Sequence, residues 1–252
     1  MTRSVFGIYW ATVFAVVAVP ALLLVTIIPG VMNRRRVARG GSRLLFRLTG
    51  MLPRLHNSEN LPPANCVVVA NHASYLDGII MTAALPARFA FVIKKEMMSV
   101  PLAGFFLQRI GSHFVERTNP HKSAMDARGL LRSAHADQSL GFFPEGTFHR
   151  EPGLRRFHKG AFAIAAKTGL PVVPVAIRGS RHILPDGQLL PRAGKIAVTL
   201  LDPIEPAGLS IESLSRGARA RILAEVGEPD LEDRLPAQPA ARIPAPLSKP
   251  AR

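Results

Sequence analysis

The stretch Asn71-His72-Ala73-Ser74-Tyr75-Leu76-Asp77 closes an apolar run, Cys66-Val67-Val68-Val69-Ala70, and sets a histidine and an aspartate five positions apart. Histidine is the side chain best suited to take a proton near neutral pH. A carboxylate beside it can fix its tautomer and stabilise the imidazolium that forms. A second stretch, Phe143-Pro144-Glu145-Gly146-Thr147, follows another apolar run, Leu140-Gly141-Phe142-Phe143. Here a carboxylate sits between a proline and a glycine, placed to accept hydrogen bonds from substrate hydroxyls. The amides of Gly146 and Thr147 are candidates to face an anion.

On a regular helix a spacing of five puts His72 and Asp77 about 140° apart, on different faces. They meet only if His72 lies in a strand-to-helix turn and the helix begins after it. Ser74 and Asp77 also have capping-box-like spacing. Two readings therefore stand: a helix cap with an incidental histidine, or a base with its orienting acid. A cap that fixes the turn would serve both.

Short apolar runs alternating with helical patterns must position these residues. Strands are expected over 66–70, 89–93, 112–115, 139–143, 172–177 and 196–201, and helices over 75–85, 102–110, 123–136 and 159–168. Such alternation indicates an α/β fold, a central, mostly parallel or mixed sheet flanked by helices. Pro171 and Pro174 bracket a strand start, which predicts an edge position or a late start. In open α/β sheets, ligands bind beyond the carboxyl ends of strands, where both stretches lie. Lys94 follows one expected strand and Arg117 another, and arginine there suits bidentate phosphate binding. Arg155, Arg156 and Lys159 add positive charge after Glu145. Cys66 falls inside an expected strand and reads as a small buried residue. As the single cysteine it excludes an intrachain disulfide and a multi-cysteine zinc site.

Of 252 residues, 48% are hydrophobic, and 32 Lys and Arg outweigh 17 acids, for a net charge of +15. That excess favours an anionic partner. Residues 4–33 carry no charge, and 5–32 exceed the ~20 apolar residues a bilayer span needs. The segment is expected to embed in a membrane, as a single span or, with Pro20 and Pro29, as a re-entrant hairpin. Arg34, Arg35, Arg36, Arg39, Arg43, Arg47 and Arg54 follow without an acid among them. That asymmetry puts the rest of the chain on the cytoplasmic face of the inner membrane, held against anionic lipid, and argues against nucleic acid as the partner. The expected organisation is a membrane-embedded segment (1–33), a basic juxtamembrane segment (34–56), a catalytic domain (57–226) and a Pro/Ala-rich disordered tail (227–252).

With four blocks in order, the chain resembles the glycerolipid acyltransferase family typified by bacterial PlsC-type 1-acylglycerol-3-phosphate acyltransferases. The blocks are Asn71-His72-x-Ser74-x-x-Asp77, Gly111 through Arg117, Phe143 through Thr147, and Val173-Pro174-Val175-Ala176-Ile177; the resemblance covers roughly 54–203. Phe148 departs from the basic or small polar residue the family often carries after the threonine. The resemblance implies direct transfer without a covalent intermediate, cofactor or metal. His72 would be general base and Asp77 its orienting acid. Arg117 would hold the acceptor phosphate, with Lys94, Asn71, Ser74, Glu145, Gly146 and Thr147 as further substrate-binding residues. The partners implied are membrane lipids, a lysophospholipid acceptor, and acyl-CoA or acyl-carrier protein as donor. The acceptor is 1-acylglycerol-3-phosphate, giving phosphatidic acid, or alternatively a lyso-ornithine lipid, another lysophospholipid or glycerol-3-phosphate. A lipase-like hydrolase would be expected to carry a Gly-x-Ser-x-Gly elbow, which the chain lacks. A non-catalytic membrane or nucleic-acid binder is the remaining alternative.

Overall fold

A computed structural model describes residues 3–116, 129–132 and 138–232. Seven strands form one sheet: β1 (Arg54–His56), β2 (Val67–Ala70), β3 (Phe89–Lys94), β4 (His113–Val115), β5 (Ser139–Phe142), β6 (Val172–Arg178) and β7 (Ala197–Leu200), in the order β1-β7-β6-β2-β5-β3-β4. Strands β6, β2, β5, β3 and β4 run parallel. Strand β7 pairs antiparallel to β6, and β1 runs parallel to β7, so the sheet is mixed. The helices are α1 (Arg3–Ile27), α2 (Val31–Leu48), α3 (Asp77–Ala84), α4 (Ala103–Arg109), α5 (Gly160–Thr168), α6 (Ser180–Ile183) and α7 (Ile211–Val226).

Strand β2 shows why the sheet strands read as unbroken apolar runs. Val68 and Ala70 pack into a core with Leu45, Phe46, Ile80 and Met81 of α2 and α3. Val67 and Val69 face the opposite side, against Phe162 of α5 and Leu214 and Ile222 of α7. With both faces covered, alternation disappears and all four residues are buried. The chain leaves β2 towards the β4 edge and leaves β5 towards β6, on the other side of β2. That reversal places a ligand crevice at the carboxyl ends of β2 and β5.

All six expected strands form, within one or two residues of their expected ends. Four elements were not expected, the one-turn helix α6 among them. Strand β1 has only three exposed residues and so carries no pattern. Helix α2 hides its periodicity under arginines and the Gly40-Gly41 pair. Helix α7 has clear end signals: Ser210 Oγ accepts from the Ser213 amide, and Gly227 closes it in the left-handed region.

The expectation for Pro171 and Pro174 fails. Strand β6 lies inside the sheet, between β7 and β2, and is buried from Val172 to Ile177. Pro174 is tolerated because it sits opposite Leu201, one residue past the end of β7. There it accepts one hydrogen bond and needs to donate none.

The basic segment packs against the domain in part. Arg35 is buried, donating to the carbonyls of Ile110 and Gly111, and Arg39 donates to Leu85. These arginines point into the protein, and Arg36, Arg47 and Arg54 are the exposed ones. The described part of the expected tail, 227–232, is anchored through Glu228 to Arg181 and Asp230 to Arg219. The expected helix over 123–136 and the tail beyond residue 232 lie largely outside the described residues.

Candidate active site

Backbone geometry brings the first stretch together. Strand β2 ends at Ala70 and α3 starts at Asp77, so His72 occupies the turn between them. His72 Nδ1 lies 2.9 Å from Asp77 Oδ2. The same oxygen accepts from the backbone amides of Ala73 at 2.6 Å and Ser74 at 2.8 Å. Asp77 thus closes the turn at the start of α3 and contacts the histidine ring through the same oxygen. Because Asp77 can only accept, Nδ1 carries the proton and Nε2 presents its lone pair outward. Asp77 is fully buried and the His72 side chain is 19% exposed, which suits a base that must meet a substrate.

The neighbouring residues of that stretch were expected to touch substrate, and their polar atoms are directed inward instead. The buried Asn71 amide bridges to β6, donating to the Ile177 carbonyl at 3.0 Å and accepting from its amide at 2.7 Å. Ser74 Oγ, also buried, donates to Leu184 at 2.7 Å and accepts from the Leu76 amide. Both residues position the turn.

Glu145 differs from its expected role in the same way. Strand β5 is the neighbour of β2, so the two stretches end side by side. Glu145 Oε1 accepts from the His72 backbone amide at 2.7 Å, and Oε2 accepts from the Arg155 amide at 3.0 Å. The carboxylate clamps the histidine turn to the loop after β5. Burial pushes its pKa up to about 7, against the opposing pull of the two amides. The Gly146 amide donates to Phe143, closing a turn, and Gly146 has φ +79°, where a side chain would be strained. Thr147 is exposed beside it, and Lys94 is exposed at the carboxyl end of β3. Arg117 lies outside the described residues. Lys159 forms an exposed pair with Glu212, and Arg155 enters the site through its backbone amide.

Aromatic rings flank His72. Phe143 stacks on the His72 ring at 4.4 Å, and Phe148 meets it edge-on at 4.5 Å. Tyr75 meets Phe148 in turn at 4.7 Å and donates its hydroxyl to Asp186. Sequence reasoning noted Phe148 only as a departure and gave Tyr75 no role. Loop contacts of this kind leave no periodic signal.

This arrangement has the geometry a general base requires, an imidazole fixed by a carboxylate and set in an apolar rim at a sheet crevice. The family model described as Acyltransferase matches residues 53–178, which contain the whole dyad and clamp. The chain belongs to this acyltransferase family. It is 34% identical over 167 residues to a chloroplastic 1-acyl-sn-glycerol-3-phosphate acyltransferase of Brassica napus, covering 65% of this chain and 48% of that one. It is 31% identical over 195 residues to a lyso-ornithine lipid O-acyltransferase of Pseudomonas aeruginosa, covering 71% of this chain and 74% of that one. The chain thus spans about half the length of the plant relative. The crystal structure of the 1-acyl-sn-glycerophosphate acyltransferase PlsC of Thermotoga maritima shares the fold, with a TM-score of 0.75 over 90% of this chain and 97% of that one, at 23% identity.

Proposed function

We propose that this acyltransferase moves a fatty acyl group from a thioester donor, acyl-CoA or acyl-carrier protein, to the free hydroxyl of 1-acylglycerol-3-phosphate, forming phosphatidic acid. The observation that carries this reading is the 2.9 Å contact between His72 Nδ1 and a buried Asp77 in a crevice-facing turn. His72 Nε2 takes the proton of the acceptor hydroxyl as its oxygen attacks the thioester carbonyl. The tetrahedral oxyanion collapses, the C–S bond breaks, and the departing thiolate takes the proton back from the imidazolium. Asp77 stabilises that imidazolium without itself being protonated. Incubating membranes carrying the protein with lysophosphatidate and either donor tests the assignment. Phosphatidic acid is expected from the wild type and none from His72→Ala; equal product from both would remove the base.

A second acceptor is favoured by two observations. The Pseudomonas relative, most of whose length the chain spans, is named for a lyso-ornithine lipid. The faces of Phe148 and Tyr75 beside His72 also suit a cationic headgroup. Turnover of lyso-ornithine lipid without turnover of lysophosphatidate would select it.

Membrane attachment follows from α1, whose segment Ser4–Ile27 is long and apolar enough to cross a bilayer. The way it packs supports a different placement. Trp10 is buried with Leu45 and Phe46 of α2, Val25 packs against Ala38 and Ile110, and the Tyr9 hydroxyl donates to Leu48. Contact therefore runs along the whole of α1, and α2 is fixed to the domain. A helix bound this way lies in one leaflet with its outer face, Val16, Val19 and Leu23, in lipid. The exposed Arg36, Arg47 and Arg54 favour the cytoplasmic face of the inner membrane.

A further inference from the structure

The loop that joins α6 to β7 is drawn together at its root. The Arg192 amide donates to the Ile183 carbonyl at 2.9 Å, and a Cβ on Gly194 would sit 2.6 Å from the Ile183 side chain. Between these points residues 184–191 form a short finger that carries two adjacent leucines, Leu189 and Leu190. Leu190 docks on the first turns of α1. It covers the buried Gly7, where a Cβ would meet the Leu190 Cβ at 2.7 Å. Leu189 is 94% exposed, the most exposed large apolar side chain among the described residues. A single exposed leucine is ordinary, but this one extends an apolar patch. Val5 and Ile8 of α1 are exposed on either side of Gly7. They stand eleven residues, about three helical turns, before Val16 and Val19, and so share the lipid-facing stripe of α1. Lys195 and Arg54, both exposed, lie at the root of the finger, Arg54 through the pairing of β1 with β7. Cations behind an apolar tip match the headgroups and acyl chains of an anionic leaflet.

The same finger is tied to the His72 turn. Ser74 Oγ donates to the Leu184 carbonyl at 2.7 Å, and the Tyr75 hydroxyl donates to Asp186 at 2.9 Å. The Tyr75 ring meets Phe148, which meets the His72 ring. One loop therefore touches the site at its root and α1 near its tip. We propose that this finger is a second membrane-inserting element, with Leu189 entering the leaflet that holds α1. It seats the mouth of the site on the bilayer, so that a lysolipid acceptor passes to His72 sideways out of the leaflet. Insertion is independent of the chemistry, whereas this delivery of the acceptor rests on the acyl-transfer reading.

The test places a polarity-sensitive fluorophore on Leu189→Cys in the full chain; the native Cys66 is fully buried and stays unlabelled. Leu209→Cys is the control, exposed just before α7, which packs on the opposite face of the sheet from α1. Vesicles of mixed zwitterionic and anionic phospholipid should shift the emission at 189 to the blue, and a quencher on the acyl chains should dim it. Neither change is expected at 209. Leu189→Asp should raise the apparent KM for long-chain lysophosphatidate in vesicles by roughly tenfold or more, with turnover of a monomeric short-chain lysophosphatidate held. Lyso-ornithine lipid takes its place in this assay if that is the acceptor turned over. The near-complete exposure of Leu189 leaves internal packing untouched by either substitution. A label at 189 that stays in water as vesicles are added overturns the insertion. A shift given by acyl-carrier protein without lipid assigns the leucines to a protein partner and overturns it as well. An equal effect of Leu189→Asp on both lysolipids overturns the sideways entry. Insertion at 189 in a wild type that transfers no acyl group would uphold the finger and refute the acyl-transfer reading itself.

Discussion

Asp77 concentrates three hydrogen bonds on one oxygen, from the His72 ring and from the Ala73 and Ser74 amides. Orientation of the proposed base and closure of the turn thus depend on the same atom. Asp77→Asn should lower kcat by about 10²–10⁴-fold, because a neutral amide does not stabilise the imidazolium as the carboxylate does, and its NH2 group would occupy a buried position where Oδ1 has no partner. It should also cost roughly 1–3 kcal/mol in denaturant unfolding. His72→Ala should match the rate loss while costing less stability, since it leaves the Asp77 bonds to the turn intact. Equal destabilisation by both variants would contradict this division of roles.

Glu145 predicts a pH effect whose sign is fixed by its raised pKa. The folded protein binds the proton up to about pH 7, while the unfolded chain releases it near 4.5. Between those values the native state holds more protons, so stability falls as pH rises through the window and levels off above it. Denaturant midpoints from pH 4.5 to 7.5 should show this slope in the wild type and a flatter profile in Glu145→Gln.

At the scale of elements, the turn is held from both sides by bonds between neighbouring strands. Asn71 joins β2 to β6, and Glu145 joins the end of β5 to the turn. Asn71→Ala strands two buried backbone groups of Ile177 and should cost about 2–5 kcal/mol, read by denaturant unfolding. Six of the seven sheet strands were legible because each is an apolar run bounded by turn residues; the short, exposed β1 is not one. The dyad was legible because its partners lie in one short stretch. The inward direction of Asn71, Ser74 and Glu145 was not legible. Their partners lie on other strands, and an inward-bonded polar residue has the same type as a substrate-binding one. Helix α2 was missed for a related reason: arginine normally marks a solvated face, but Arg35 and Arg39 satisfy carbonyls of neighbouring loops.

At the scale of the whole molecule, α1 contributes to the same core as the sheet and also offers an apolar outer face. Replacing Val16, Val19 and Leu23 together with glutamate should release the protein from phospholipid vesicles in flotation, with the far-UV spectrum unchanged. Their exposure of 64%, 56% and 62% means that little internal packing is lost. Retention of the triple variant on vesicles would show that attachment lies elsewhere. The apolar character of this segment was plain from composition. Its orientation was not, because it depends on Trp10 and Val25 packing against residues far along the chain.

The pairing of β1 with β7 also governs how the protein is made. Arg54 finds its partner at Ala197, so the edge of the sheet closes only after most of the chain has been synthesised. At ~5–20 residues per second, that leaves a delay on the order of 10–30 s after β1 emerges. Throughout this interval α1 and α2 are already out of the ribosome, while the sheet core they share is still uncovered. The bilayer is the apolar surface available to α1 then, so capture by lipid should come before completion of the catalytic sheet. Without a membrane at hand, the same delay exposes the nascent chain to aggregation.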